Sequence, residues 1–235
     1  MKKITKLTAL LMSLVMIICS FSFGASAEAY TQPDYSGKEP TAVNSSSDYS
    51  SDTVALLYLC SNWTGLPSLG HIWIYVENVS KSNLTVGVYN LPSGEGVSIG
   101  TFGLTRSDGF GVYYNVEAYT GNLFGMGESM YMMTELNQKE FDSVSSKIAN
   151  SNFWDPVVFN CAYFAISTWN TGGGSYMMPI VVLPMFARIQ MKLHSHKSNL
   201  KMFYPEREDV YKQIGNGSSA ILKNVKPGTL DTPPG

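Results

Sequence analysis

Cysteine, histidine and charged residues are all scarce in this sequence. Of its 235 residues, three are cysteine, three are histidine and 14% are charged. Cys19 falls in an apolar leader segment, which leaves Cys60 and Cys161 in the rest of the chain. These two can form at most one disulfide, and they can equally be two separate thiols, so both states stay open at this point.

Positive charge is scarce as well. The whole chain has a formal net charge of -2, and the leader carries three lysines and no acid, so the rest of the chain has a net charge of -5. This acidic balance gives no support for nucleic-acid binding or for attraction to an anionic membrane surface. The low charge and the 12% aromatic content suit a compact extracellular domain.

The three histidines restrict the choice of metal ligands and catalytic bases. His194 and His196 lie together in a polar stretch, 192–197, which is typical of a solvated surface. A zinc site there needs further ligands, and the spacing suggests none. Gly172–Gly174 follows a predicted helix rather than opening one, so it does not indicate a phosphate-binding loop. We therefore expect no metal and no cofactor.

The first 27 residues have the organisation of a secretory signal peptide. A basic start precedes an apolar run, 7–23, which ends in the small residues Ala25, Ser26 and Ala27. The run is short for a bilayer span, which argues against an uncleaved anchor. We predict cleavage after Ala27, no stable membrane span afterwards, and a secreted or cell-envelope-associated protein.

The rest of the chain divides by composition into three parts. Residues 28–52 are rich in Ser, Tyr, Pro, Gly and Asp and are predicted to be a disordered linker. Residues 53–225 are long enough for one domain with its own core. Residues 226–235 are rich in Pro and Gly and are predicted to be a loose tail.

Apolar, β-branched and aromatic runs early in the domain predict an antiparallel meander. The runs cover 54–59, 71–77, 84–90, 97–102 and 111–118. The polar segment 78–83 joins the second run to the third, so these two are predicted to form a hairpin.

Helical patterns follow the strands. Asn137 and Glu140 have the spacing of a capping box, and the residues after them repeat on one apolar face up to Ile148. A second helix is predicted from Cys161 to Trp169, and a third over 185–193.

Cys161 is the first candidate for chemistry. Asn160 is a good N-cap residue, so Cys161 falls in the first turn of its predicted helix. The helix dipole and the free N–H groups there stabilise a thiolate and can help to hold an oxyanion. The alternative is a small, buried and inert cysteine on a helix.

His71 is the second candidate. It follows Gly70 at the start of a predicted strand, where a neutral imidazole could accept the thiol proton. A structural histidine is the alternative. His71 is favoured as the base because the other two histidines lie in the polar stretch described above.

Taken together, the Gly70-His71 pair opening a strand and the Asn160-Cys161 pair opening a later helix resemble the circularly permuted papain-like hydrolases. That family includes the lecithin–retinol acyltransferase-like enzymes and related bacterial peptidases and amidases. The resemblance covers about 53–170. It implies an α+β fold in which an antiparallel sheet packs against the cysteine-bearing helix.

The resemblance also implies roles for individual residues. Cys161 matches the nucleophile and His71 matches the base. A third residue orients the imidazole, and the predicted hairpin places Asn90 across from His71, which makes it the first choice. Asn115 and Glu117, on the predicted strand 111–118, are rivals whose ordinary interpretation is a polar strand face.

The sequence departs from the acyltransferase pattern at two places. It has no second histidine in the orienting role, and Tyr163 stands where a histidine often follows the cysteine. Both departures argue against lipid acyl transfer and leave thiol hydrolysis in place.

Three functions are compatible with these observations. The first is an exported cysteine hydrolase that cleaves an amide, isopeptide or ester bond in a peptide, peptidoglycan or acyl substrate. The second is a non-catalytic binding module on the same fold, which binds through its aromatic strands. The third is a small exported structural protein. A disulfide between Cys60 and Cys161 would exclude the first, because it would block the nucleophile.

Overall fold

The computed structural model describes residues 49–63, 70–103, 109–124, 128–155, 159–179, 183–198 and 200–225. The predicted signal peptide, the predicted C-terminal tail and all but the last four residues of the predicted linker lie outside these ranges.

Ten strands and four α-helices make up the described chain. The strands are β1 (Thr53–Trp63), β2 (His71–Asn78), β3 (Leu84–Val86), β4 (Tyr89–Leu91), β5 (Gly96–Phe102), β6 (Gly111–Tyr114), β7 (Glu128–Asn137), β8 (Lys197–Ser198), β9 (Tyr211–Ile214) and β10 (Ile221–Asn224). The helices are α1 (Val116–Phe124), α2 (Gln138–Ala149), α3 (Cys161–Thr171) and α4 (Pro184–Lys192).

Eight of the strands form one antiparallel sheet in the order β10-β9-β6-β5-β2-β1-β7-β8. β3 and β4 form a separate two-stranded sheet. The predicted α+β class with a large antiparallel sheet is confirmed. β2 lies in the middle of the large sheet, between β1 and β5, so both of its backbone edges are hydrogen-bonded.

Both faces of the central strands are buried. On β1, Leu57 and Leu59 pack into the main core together with Ala165 and Trp169 of α3. The alternate β1 residues, including Cys60, pack into a smaller cluster with Met202. Because alternate residues point to opposite faces of a sheet, a strand covered on both sides has a continuous apolar sequence, as β1 has.

The predicted hairpin between 71–77 and 84–90 is wrong. β2 pairs with β1 and β5, whereas β3 and β4 pair only with each other, around a turn in which Gly87 has a φ of +63°. The buried Asn78 side chain explains the difference, because its Nδ2 donates to the carbonyls of Ser82 and Leu91. These bonds hold the polar segment 78–83 against the β3–β4 hairpin.

The predicted strand 111–118 ends early. β6 ends at Tyr114, and Asn115 has a φ of +66°, in the left-handed region that asparagine tolerates better than most residues. The Asn115 Nδ2 donates to the Asp209 carbonyl, which holds this turn in place. The chain then enters α1 instead of continuing as a strand.

The three predicted helices are confirmed. Asn137 caps α2 in a capping box with Glu140. α3 begins at Cys161, and α4 covers most of the predicted range 185–193. The sequence did not predict α1, β7 or the three C-terminal strands.

Candidate active site

Cys161 is the first residue of α3. The Asn160 side chain accepts hydrogen bonds from the backbone N–H groups of Ala162 and Tyr163, at 3.0 and 3.1 Å. This cap fixes the first turn of the helix, and with it the direction of the Cys161 side chain. Cys161 as a residue is partly exposed.

His71 is the first residue of β2. Its neighbour across the sheet is Asn62 of β1, whose Oδ1 accepts the His71 backbone N–H at 2.9 Å. Phe102 and Trp73 stack on the imidazole, with ring centroids 4.7 and 5.8 Å from it. The ring is buried and held from several sides, so it has little freedom to rotate.

The His71 imidazole and the Cys161 thiol interact, and each shifts the pKa of the other. Burial opposes ionisation of the thiol, but the His71 charge and hydrogen bond, together with the backbone N–H groups of Ile72 and Ala162, outweigh it and lower the pKa of Cys161 below its ordinary 9.0. Burial also opposes the charged form of His71, yet Cys161 and Glu117 raise the pKa of His71 from 6.5 to about 9. Both shifts favour the charged forms, so the interaction stabilises a thiolate beside an imidazolium.

Glu117 holds the other side of the imidazole. Its Oε1 lies 3.0 Å from His71 Nε2, and both side chains are buried. The Ser98 hydroxyl donates to Glu117 Oε2 at 3.0 Å and accepts the Ala118 backbone N–H at the same distance. Since Glu117 occupies Nε2, Nδ1 is the ring nitrogen left for the sulfur.

The sequence prediction of Asn90 as the orienting residue is not supported by the geometry. Asn90 is exposed on β4, opposite Thr85 in the separate hairpin, and not opposite His71. Its placement depended on the hairpin that does not form. Among the rivals, Asn115 bonds the Tyr89 hydroxyl and the Asp209 carbonyl, and Glu117 contacts His71.

The role of Glu117 had a weak signal in the sequence. Glu117 is the one charged residue in the mostly apolar stretch 109–127, and its side chain is buried. An unpaired buried carboxylate is costly, so an acid in such a stretch indicates a partner. The contribution of Ser98 could not be predicted from the sequence, because it depends on the packing of α1 against β5.

Both described cysteines are free thiols. Cys60 is buried in the smaller cluster opposite Trp73 of β2. Burial, with the negative charges of Glu117 and Glu77, raises the pKa of Cys60 well above 9.0. The structure therefore contains no disulfide among its described residues, and Cys161 is partly exposed whereas Cys60 is buried.

His194 and His196 lie away from this site. They follow α4, and the His196 Nδ1 is 2.9 Å from the His194 carbonyl. Within the described ranges, no three His, Cys, Asp or Glu side chains are grouped closely enough to hold a metal ion.

Comparison with family models, with curated proteins and with solved structures finds no match to this chain. In the part of the chain that the structure describes, none of the helices has the length and apolar character needed to cross a bilayer.

Proposed function

We propose that this chain is an exported cysteine hydrolase in which Cys161 is the nucleophile, His71 the acid and base, and Glu117 the residue that positions His71. The observation that carries the proposal is the arrangement of these three side chains. The His71 ring interacts with the Cys161 thiol, and its Nε2 lies 3.0 Å from the Glu117 carboxylate. A nucleophile, a base and an orienting acid in series are the usual components of a catalytic triad.

In the first half of the reaction, the Cys161 thiolate attacks the carbonyl carbon of an amide, isopeptide or ester. The carbonyl π electrons move to oxygen and give a tetrahedral oxyanion. The imidazolium of His71 then protonates the leaving amine or alcohol, the carbon–nitrogen or carbon–oxygen bond breaks, and a thioester to Cys161 remains.

In the second half, water resolves the thioester. Neutral His71 takes a proton from water, the hydroxide attacks the thioester carbonyl, and the thiolate leaves as the carboxylic acid product forms. The Ala162 and Tyr163 N–H groups are held by Asn160, so we assign the backbone N–H of Cys161 as the main-chain donor to the oxyanion.

We further propose that the fold is of the permuted papain-like kind. The support is the order of the parts: a strand that begins with His71 comes before a helix that begins with Cys161, and that helix packs on the antiparallel sheet that contains the strand. The proposed substrates are peptide, peptidoglycan or acyl compounds outside the cell.

The alternative of a module that binds through its aromatic strands receives little support. Five aromatic side chains that could have lined a binding cleft are almost completely buried: Trp73, Tyr75, Tyr113, Tyr114 and Trp169. Their role is in packing, and a binding function would have to use other residues.

The proposal is tested by alkylation of the purified protein with iodoacetamide. We expect Cys161 to react faster at neutral pH than a model thiol, and His71→Ala to slow it sharply. His194→Ala is the matched control and should have no effect. Slow labelling of the unmodified protein would contradict the proposal, and equal effects of the two substitutions would show that His71 is not the base.

A further inference from the structure

Helix α4 has apolar side chains on both of its faces. The inward face packs Ala187 and Met191 into the main core, beside the buried Arg188. On the outward side, Phe186 and Ile189 are each 50% exposed, and Leu193, directly after the helix, is 80% exposed. A surface helix normally has polar and charged residues on its outward face, so these exposed apolar side chains are unusual.

Two more exposed apolar residues lie beside this helix. Tyr176 is 73% exposed and Met178 is 58% exposed. Gln190 of α4 holds this segment, because its Oε1 accepts the Met178 backbone N–H at 2.9 Å. We call the five side chains Tyr176, Met178, Phe186, Ile189 and Leu193 the α4 patch. Grouped apolar exposure of this kind marks an interaction surface rather than ordinary scatter.

The stretch of sequence that contains the α4 patch has charge of one sign. No aspartate or glutamate occurs between Asp155 and Glu206, whereas this stretch contains four cations: Arg188, Lys192, Lys197 and Lys201. Lys192 and Lys197 are exposed, at the end of α4 and shortly after it. The whole chain is net negative, but this segment is net positive and carries the exposed apolar side chains of the α4 patch.

We propose that the α4 patch docks on the surface of an anionic phospholipid membrane. Apolar side chains that enter the boundary between headgroups and acyl chains, flanked by lysines that meet lipid phosphates, are the features of helices that lie in a membrane interface. A neutral protein surface would complement the apolar residues but not the lysines, so the charge favours the lipid.

The position of α4 gives this docking a consequence, which rests on the proposed hydrolase function. On the inward face of α4, the Arg188 Nη1 lies 3.4 Å from the carbonyl and hydroxyl oxygens of Ser61. Ser61 pairs with Ile72, the residue after His71. One helix thickness, about 10 Å, therefore separates the membrane-facing patch from the strands that carry the site. Membrane-attached substrates would be held close to Cys161.

The experiment uses the full chain expressed with export. The form recovered outside the cell is used, with its N-terminus read by mass spectrometry, so that the apolar leader does not itself bind lipid. We expect co-sedimentation with phosphatidylglycerol vesicles, weak binding to phosphatidylcholine vesicles, and release by about 1 M NaCl, where the Debye length is about 3 Å. Binding that is equal for the two lipids, or absent, would overturn the proposal.

Matched variants test the two components of the surface separately. Phe186→Ser with Ile189→Ser should weaken vesicle binding at least about tenfold, because it removes inserted apolar area. Ile221→Ser, at a residue that is 62% exposed on β10, is the control and should not change binding. Circular dichroism checks that each variant is folded. An equal loss in the control would show that the patch is not the docking site.

Lys192→Glu with Lys197→Glu tests the charge. This pair should weaken binding to phosphatidylglycerol at least about tenfold, since each lysine near an anionic surface contributes about 1 kcal/mol. Lys139→Glu with Lys223→Glu makes the same change in net charge at exposed residues elsewhere and should have little effect.

Two further measurements separate this proposal from its alternatives. Cys161→Ala should bind vesicles as well as the unmodified protein does, so loss of hydrolase chemistry and loss of docking can be distinguished. Sedimentation velocity without lipid should show a monomer. A dimer that is abolished by Phe186→Ser with Ile189→Ser would instead assign the α4 patch to a second copy of this chain and overturn the membrane proposal.

Discussion

The Glu117 carboxylate packs directly against the backbone of Gly100. If Gly100 had a side chain, its Cβ would lie 1.8 Å from Glu117 Oε1, which is too close. The same Cβ would lie 3.1 Å from His71 Nε2. The backbone at Gly100 is not in the left-handed region, so the missing side chain, and not the backbone conformation, is what this position requires. The glycine makes room for the Glu117 carboxylate beside the imidazole.

Gly100→Ala should therefore disturb the site. We expect the Glu117 carboxylate to be displaced, the pKa of His71 to fall below about 9, and the protein to lose about 1–3 kcal/mol of unfolding free energy through overpacking. NMR titration of the imidazole and denaturant unfolding measure the two effects. Gly94→Ala is the control, since a Cβ there meets no atom within 4 Å and its cost comes only from a φ of +79°. An unchanged His71 titration in Gly100→Ala would contradict the assignment.

Glu117→Gln and Asn90→Ala compare the two candidates for the third residue. Removing the Glu117 charge takes away one of the causes that raise the pKa of His71, so this pKa should move from about 9 toward 6.5 and alkylation of Cys161 should slow. Asn90→Ala should leave both quantities unchanged because Asn90 lies in a different sheet. If Asn90→Ala had the larger effect, the assignment of Glu117 would be wrong.

The Cys161–His71 pair should titrate as a coupled unit. The pKa of Cys161 is lowered, so thiolate absorbance in the ultraviolet should appear below pH 9.0, and the His71 imidazolium should persist up to about pH 9. Hydrolysis should fall on the acid side as the thiolate is protonated, and on the alkaline side as His71 loses the proton for the leaving group.

In His71→Asn the thiolate should appear at higher pH, and in Cys161→Ser the His71 pKa should be lower. Independent titrations in these variants would show that the two groups are not in contact.

The Asn160 cap should matter both for stability and for reactivity. Asn160→Ala should reduce the free energy of unfolding by about 1 kcal/mol and slow alkylation of Cys161, because the first turn of α3 is no longer held. Asn137→Ala removes the equivalent cap from α2. It should cost a similar amount of stability and leave alkylation unchanged. If both variants slowed alkylation equally, the effect would come from general loosening rather than from the cap beside the thiol.

The two cysteines should differ in reactivity. Iodoacetamide should modify Cys161 alone in the folded protein, because Cys60 is buried and its pKa is raised. Both should react after denaturation, and mass spectrometry of the peptides reports each one. A mass that shows the two cysteines joined, or modification of Cys60 first, would count against the proposed nucleophile.

The positions of Cys161 and His71 within their elements could be predicted because each depends on local sequence. Asn160 and the helical spacing after it place Cys161 at a helix start, and the apolar run after His71 places it at a strand start. The contact between His71 and Glu117 joins residues that are 46 positions apart. It depends on the order of strands in the sheet, which local patterns do not determine.

The errors in the sequence interpretation also have local physical causes. A polar segment between two apolar runs usually predicts a hairpin. Here the buried Asn78 side chain instead donates hydrogen bonds to the carbonyls of Ser82 and Leu91, which hold the segment against the separate β3–β4 hairpin. The apolar run after Gly111 favours a longer strand, but the left-handed backbone of Asn115 ends it. In both cases one asparagine side chain decides the path of the backbone.

The three proposed catalytic side chains come from β2, α1 and α3, which are distant in sequence. In a chain that has not yet folded, or that has been cut between these elements, Cys161 is not beside His71 and His71 is not beside Glu117. Reactivity of the thiol is then a property of the completed fold and would appear only when the last of the three elements has docked. A protein built in this way needs no inhibitory segment to stay inactive before it has folded.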